Sequence, residues 1–251
     1  MKKRTSVFVV ALLAVVLLFG IWGCGDGGAG STPLSNASGA NATSFGTPAP
    51  EQLVVFPDAG LEAAIRKAIG KPEGDIHPPD LAHLTHLDAS ESGIWELGGL
   101  EYCYRLNSLS LERNQITDIS AISNLIGLIR LDLGFNSIID IGPIASLRNL
   151  TELNLANNHI IDIEPISDLS HVTRLYLQNN YISDVSALSN LINLTELNLE
   201  NNHLKDIAAL TTNKGLGRKC TVDLRNNPLS NISVYQHIPL LEQKGAEVKW
   251  E

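Results

Sequence analysis

From residue 84 onward, apolar residues recur in an order that repeats every 22 residues. The phrase Leu106-x-x-Leu109-x-Leu111-x-x-Asn114-x-Ile116 returns as Leu128-x-x-Leu131-x-Leu133-x-x-Asn136-x-Ile138. The same frame restarts at Leu150, Val172 and Leu194, and its asparagines are Asn114, Asn136, Asn158, Asn180 and Asn202. Upstream, Ser92 holds the Asn phase in Leu84-x-x-Leu87-x-Ala89-x-x-Ser92-x-Ile94. Downstream, Val222-x-Leu224-x-x-Asn227-x-Leu229 fits after a three-residue insertion around Thr212 to Gly217. The result is about seven coils, and a period of this kind governs every other reading of the chain.

Each position in the coil has a physical reading. Leu-x-Leu puts two side chains on one face of a short strand, pointing into the coil. The frame Asn stands where the chain turns out of the strand, and its amide can satisfy backbone groups that the turn leaves unpaired. Next, Asp118-Ile119-x-x-Ile122-x-x-Leu125 advances in threes, which matches a turn of 3-10 helix better than a full α-helix. Stacked coils predict an α/β repeat solenoid, with a parallel β-sheet on the concave face and short 3-10 or irregular segments on the convex side.

An open solenoid needs covers at both ends, because its terminal coils expose core and strand edge. At residues 51–83 the pattern predicts a helical N-terminal cap. Asp58 caps a helix in which Leu61, Ala64, Ile65, Ala68 and Ile69 keep helical spacing and Gly70 closes the end. A second short helix starts near Pro79-Asp80-Leu81. Residues 84–229 hold the repeats. Residues 230–251 form a helix-strand C-terminal cap: Ser230 caps a helix through Ile232 and Tyr235, interrupted or restarted at Pro239. Ala246-x-Val248-x-Trp250 then alternates like a strand over the last edge.

The first fifty residues follow a different pattern. Met1-Lys2-Lys3-Arg4 is a basic start, and Thr5 to Gly23 carries no charge. Ile21-Trp22-Gly23-Cys24 then sets a small residue before a cysteine, which is the layout of an exported leader over residues 1–23. The ending resembles a lipobox, in which Cys24 takes the lipid and becomes the mature N-terminus. Trp22 departs from that pattern. An uncleaved membrane anchor is the other reading, since about 18 apolar residues can just span a bilayer. Residues 24–50 are rich in Gly, Ser, Ala, Asn, Thr and Pro, too polar to repay ordering, and read as a flexible tether. Either leader reading places the rest of the chain outside the cytoplasmic membrane.

Composition narrows the function. The 251 residues include 38 Leu, 23 Ile and 21 Asn against five Phe and five Tyr, which is the coil formula written many times over. The formal charge of -9 becomes about -12 once the basic leader is removed, and that acidity argues against a nucleic-acid partner. No Gly-x-Ser-x-Gly elbow, phosphate loop or dinucleotide fingerprint is present in the sequence.

Phrases such as Asn114-Gln-Ile-Thr-Asp-Ile119, Leu150-Thr-Glu-Leu-Asn-Leu155 and Leu194-Thr-Glu-Leu-Asn-Leu199 resemble the leucine-rich repeat family, in its short 22-residue, internalin-like class of bacterial surface proteins. The resemblance covers residues 53–251. It implies a curved solenoid that binds another protein on its concave sheet, with no catalytic activity and no cofactor. The chain ends at Glu251 without a sorting motif, so a lipid on Cys24 would replace wall attachment. The roughly twenty outward strand residues of such a face match one side of a standard protein interface, roughly 20 to 30 residues. The expected protein is therefore a monomeric recognition module on the cell envelope, with a protein partner and membrane attachment through the N-terminal lipid. A structural or glycan-contacting envelope lipoprotein is the alternative.

The outward strand positions fall into three columns. The first runs His86, Ser108, Arg130, Glu152, Arg174, Glu196, Thr221; the second Asp88, Ser110, Asp132, Asn154, Tyr176, Asn198, Asp223; the third Ser90, Glu112, Gly134, Ala156, Gln178, Glu200, Arg225. Tyr176, flanked by Arg174 and Gln178, is the best anchor, since Tyr and Arg are enriched among residues that dominate binding. Phe135 is the other exposed aromatic. The candidate partner-binding set is Arg130, Asp132, Phe135, Glu152, Asn154, Arg174, Tyr176, Gln178, Glu196 and Asn198. The column Asp118, Asp140, Asp162, Asp184 and Asp206 offers one carboxylate per coil, which suits turn capping rather than a calcium site that needs converging oxygens. His159 and His203 occupy equivalent exposed positions two coils apart, too distant to share a metal. Cys103 and Cys220 belong to opposite ends, roughly 25 Å apart by strand spacing, and read as small buried residues.

Overall fold

The computed structural model describes residues 52–217 and 219–251; the leader, the tether and Cys24 lie outside the described residues. Eight three-residue strands form one parallel sheet in strict chain order. They are β1 (His86–Asp88), β2 (Ser108–Ser110), β3 (Arg130–Asp132), β4 (Glu152–Asn154), β5 (Arg174–Tyr176), β6 (Glu196–Asn198), β7 (Thr221–Asp223) and β8 (Glu247–Lys249). The register follows the repeat, so Leu109 pairs with Leu131, Leu153 with Leu175 and Leu197 with Val222. These central residues are buried, whereas the flanking residues of β2 to β6 stay exposed or half-buried, leaving one face of the sheet open.

Behind each strand the chain returns through short 3-10 turns at Leu100–Tyr102, Ser120–Ile122, Gly142–Ser146, Glu164–Ile166 and Ser186–Asn190, and through helix α3 (Ala208–Thr212). Five exposed aspartates start these returns. The Oδ1 of Asp118, Asp140, Asp162, Asp184 and Asp206 accepts the backbone N–H two residues on, each at 2.8 Å. The Asp column therefore caps turns.

The frame asparagines do more than close their own turn. Each donates to carbonyls of its own coil and also to the coil before it, as Asn136 does to Leu133 and Leu111 at 3.1 and 3.0 Å. Each also accepts a backbone N–H from the preceding coil, for example Ile116 onto Asn136 Oδ1 at 3.0 Å. Buried amides thus tie the aliphatic stack together along its whole length.

The caps close the stack. Helix α1 (Ala59–Ile69) buries Leu61 and Ile65 against the first coil and ends at Gly70 in the left-handed conformation, φ 67°. Gly60 lets that helix approach closely: a Cβ there would stand 2.3 Å from the carbonyl oxygen of Ser92. Asp58 caps α1 through Leu61 N–H at 3.0 Å, while its other oxygen accepts Trp95 N–H at 2.9 Å, so one carboxylate joins cap to repeat. Helix α2 (Pro78–Leu81) follows. At the far end Ser230 Oγ accepts the N–H of Ser233 at 3.2 Å. The helix does not break at Pro239. A π-helical stretch, Ser233–His237, runs directly into α4 (Ile238–Gln243), and the wider turn accommodates the missing Pro239 N–H. Buried Ser233 donates to Lys205 O at 2.9 Å, and β8 then extends the sheet in parallel from β7. No helix among the described residues is long and apolar enough to cross a membrane.

Candidate interaction face

The first outward column alternates in sign from coil to coil, and the structure links those charges. Glu152 takes Arg130 Nε at 3.6 Å on one side and forms a close ion pair with Arg174 on the other. In the next column Tyr176 Oη donates to Glu196 Oε2 at 2.9 Å. Burial, reinforced by the Glu196 carboxylate, pushes the Tyr176 phenol up to about 12, so it stays a neutral donor at any ordinary pH. The Glu152 hydrogen bond and charge raise Arg174 further above its already high value. Asn154 Nδ2 donates to Asp132 Oδ1 at 2.9 Å, and Gly134 N–H reaches the same oxygen at 2.9 Å. Together Arg130, Asp132, Glu152, Asn154 and Tyr176 line a hollow of about 210 Å³ on the sheet.

Ten residues predicted for binding therefore distribute unevenly. Arg130, Asp132, Glu152, Asn154, Arg174, Tyr176, Glu196 and Asn198 all lie on β3 to β6. Gln178 lies just beyond β5, its Oε1 buried without a partner among the described residues. Phe135 sits at the turn after β3, 44% exposed, with the Arg113 guanidinium 4.9 Å above its ring. The third column is not uniformly accessible: Gly134 and Ala156 are buried, whereas Glu112, Gln178 and Glu200 at equivalent positions are half-buried. A Cβ on Gly134 would stand 2.9 Å from Asn154 Nδ2 and 3.2 Å from Asp132 Oδ1, so the polar side chains of the second column cover that position.

Two arrangements escape the alternation of the sequence. One residue before each frame position, Glu91, Arg113, Phe135, Asn157, Asn179, Asn201 and Asn226 adopt left-handed φ of 53° to 58°. The Asn-Asn doublets at 157–158, 179–180, 201–202 and 226–227 carry a signal for this, since Asn tolerates that region. One residue after the frame, His159, Tyr181 and His203 stack in successive coils, with ring centroids 5.9 and 5.6 Å apart. Tyr181 fills the gap between the two histidines. Among the described residues, no group of three or more His, Cys, Asp or Glu is placed to hold a metal. Cys103 and Cys220 are free and buried; burial pushes their thiols up to about 12 and about 11, respectively, with Glu101 adding to the first.

The fold and the repeat define a leucine-rich repeat solenoid. Residues 126–171 and 170–212 match the family described as Leucine Rich repeats (2 copies). Among solved structures, the chain is similar to an internalin (inlF) of Listeria monocytogenes, at 32% identity and TM-score 0.70 over 78% of this chain. It spans 55% of that protein's length. It is also similar to internalin C2 (inlC2) of the same species, at 29% identity and TM-score 0.61, over 79% of this chain and 95% of that one. A leucine-rich repeat protein of Leptospira interrogans, LIC12759, shares the fold at 21% identity and TM-score 0.55, over 68% and 50% of the two chains.

Proposed function

We propose that this protein is a non-enzymatic recognition module, held on the bacterial cell envelope by a lipid on Cys24, that grips a protein partner with the open face of its sheet. In this reading residues 1–23 are the export signal, 24–50 the tether, 51–83 and 230–251 the caps, and 84–229 the repeats. The observation that supports it is the linked polar surface on β3 to β6, where Tyr176 is held by Glu196 and Arg174 by Glu152. An aromatic anchor fixed by its neighbours loses little conformational freedom on binding, which favours a specific contact. The similarity to internalins agrees with the same use of the fold.

The test uses the full-length chain as bait against proteins of the envelope and of the cell's surroundings. A specific partner is expected to lose at least about tenfold in affinity with Tyr176→Ala or Arg174→Ala. A partner that binds both variants unchanged removes the concave-face reading. Separately, Cys24→Ala is expected to abolish incorporation of a labelled fatty acid; retention of the intact leader by mass would favour the uncleaved anchor.

A further inference from the structure

A band of exposed apolar side chains lies away from the sheet face. It runs along the flank where the chain leaves the strands, and it does not depend on the concave-face reading. There the residue after each frame position points out, the next points in and the third points out. Successive coils are joined in this segment, because the N–H of Ser137, His159, Tyr181 and His203 donates to the coil before at 2.8 to 3.0 Å. The outward positions therefore stack into two neighbouring columns. One contains the His159–Tyr181–His203 ring stack. The other contains Trp95, Ile139 and Ile161, exposed by 60%, 61% and 59%. With Tyr181 at 47% exposure, Ile139 and Ile161 make an apolar patch on the order of 300 Å², and Trp95 stands two coils away beyond Thr117. That falls within the range of the largest patch on an ordinary monomer, which is often functional.

What covers such a band is indicated by its rim. The exposed row from Asp118 to Asp206 runs alongside, one carboxylate per coil, each using Oδ1 for its own turn. An anionic lipid surface would meet that row with like charge. A second copy fares no better. In one two-fold arrangement the Asp rows face each other. In the other, each faces the left-handed turn column, whose one cation, Arg113, is already paired with Glu91 and Glu112 at 3.2 and 3.3 Å. We infer that the flank is a docking surface for a protein segment that presents a row of aliphatic side chains edged by lysine or arginine.

The test immobilises the full-length chain and titrates a labelled helical peptide of about 20 residues, with leucine on one face and lysine beside it. Binding is expected to fall about tenfold in the double variant Ile139→Thr/Ile161→Thr, whose column already carries threonine at Thr117. It is expected to fall about threefold, with a flatter salt dependence, in Asp140→Asn/Asp162→Asn. Arg174→Ala, on the sheet face, leaves it unchanged. Equal binding of a leucine-glutamate peptide, no binding of the lysine peptide, or indifference to both double variants overturns the proposal. So does self-association in sedimentation, or flotation with phosphatidylglycerol vesicles, that the isoleucine variant abolishes.

Discussion

The side-chain amide of Asn158 donates to the carbonyl oxygen of Leu133, in the coil before, at 2.9 Å. The same side chain also donates to Leu155 O at 3.1 Å and accepts Ile138 N–H at 3.0 Å, all within a buried site. Asn158→Ala leaves those backbone groups without partners in the middle of the core. The expected cost is about 3 kcal/mol, since each orphaned buried group costs about 1–3 kcal/mol. Urea unfolding monitored by circular dichroism measures it. Asn158→Asp is expected to cost more at pH 7 than at pH 3, because a charged carboxylate would face carbonyl oxygens and cannot donate.

Asp58 gives the folded state an acid-sensitive joint. Burial works against its charge, but the N–H groups of Trp95, Leu61, Glu96 and Gly60 outweigh burial and hold its carboxyl below the usual carboxylate range. A lowered folded value contributes stability that is present above the unfolded value of 3.8 and is lost as pH falls through the folded one. Asp58→Asn is therefore expected to unfold at lower urea than the natural chain at pH 7. The gap should narrow as pH drops below about 4, and parallel denaturation curves across that window check it.

Most of the architecture was readable because it repeats. Six or more instances of one position average out local ambiguity, so the buried role of the Leu-x-Leu pairs and the turn-capping role of Asp118 to Asp206 both follow from spacing. The third column keeps the alternation but is less accessible than spacing suggests. Gly134 and Ala156 are too small to reach past Asp132 and Asn154, whose side chains accept their backbone N–H groups. The Asn amide's second role was not legible either, because Leu111 and Asn136 are neighbours only once coils are stacked. For the same reason the stack of His159, Tyr181 and His203 is invisible to a reading that compares the two histidines and skips the coil between them.

Cys103 and Cys220 report on opposite ends of the solenoid. Both thiols are buried and their pKa values are pushed up to about 12 and about 11, so neither presents a thiolate at pH 8. Alkylation at pH 8 is expected to be slow at both sites and to rise with denaturant. Peptide mapping by mass spectrometry separates these two cysteines from Cys24. Labelling of both at one urea midpoint would mark a single cooperative unit; separate midpoints would mark ends that open independently, as repeat arrays allow.

Phe135 occupies a backbone conformation that suits a smaller residue. Its φ of 55° matches the values of 55°, 58° and 53° at Asn157, Asn179 and Asn201, its equivalents in the next three coils. A left-handed conformation costs a residue with a bulky side chain roughly 1–2 kcal/mol, and asparagine less, because its short polar side chain bonds locally. Phe135 recovers part of that cost through the Arg113 guanidinium at 4.9 Å over its exposed ring, worth about 0.5–1 kcal/mol. The balance favours asparagine. Phe135→Asn is expected to raise stability by about 0.5 kcal/mol, read as a higher urea midpoint with an unchanged slope. Arg113→Ala should lower stability more in the natural chain than in the Phe135→Asn background; the pairs with Glu91 and Glu112 are lost in both, so the difference reports the ring contact. If Phe135→Asn instead destabilises the protein, the ring contributes packing beyond its contact with Arg113. If it stabilises the protein but weakens partner capture, Phe135 is a binding residue held in place at a cost to the fold.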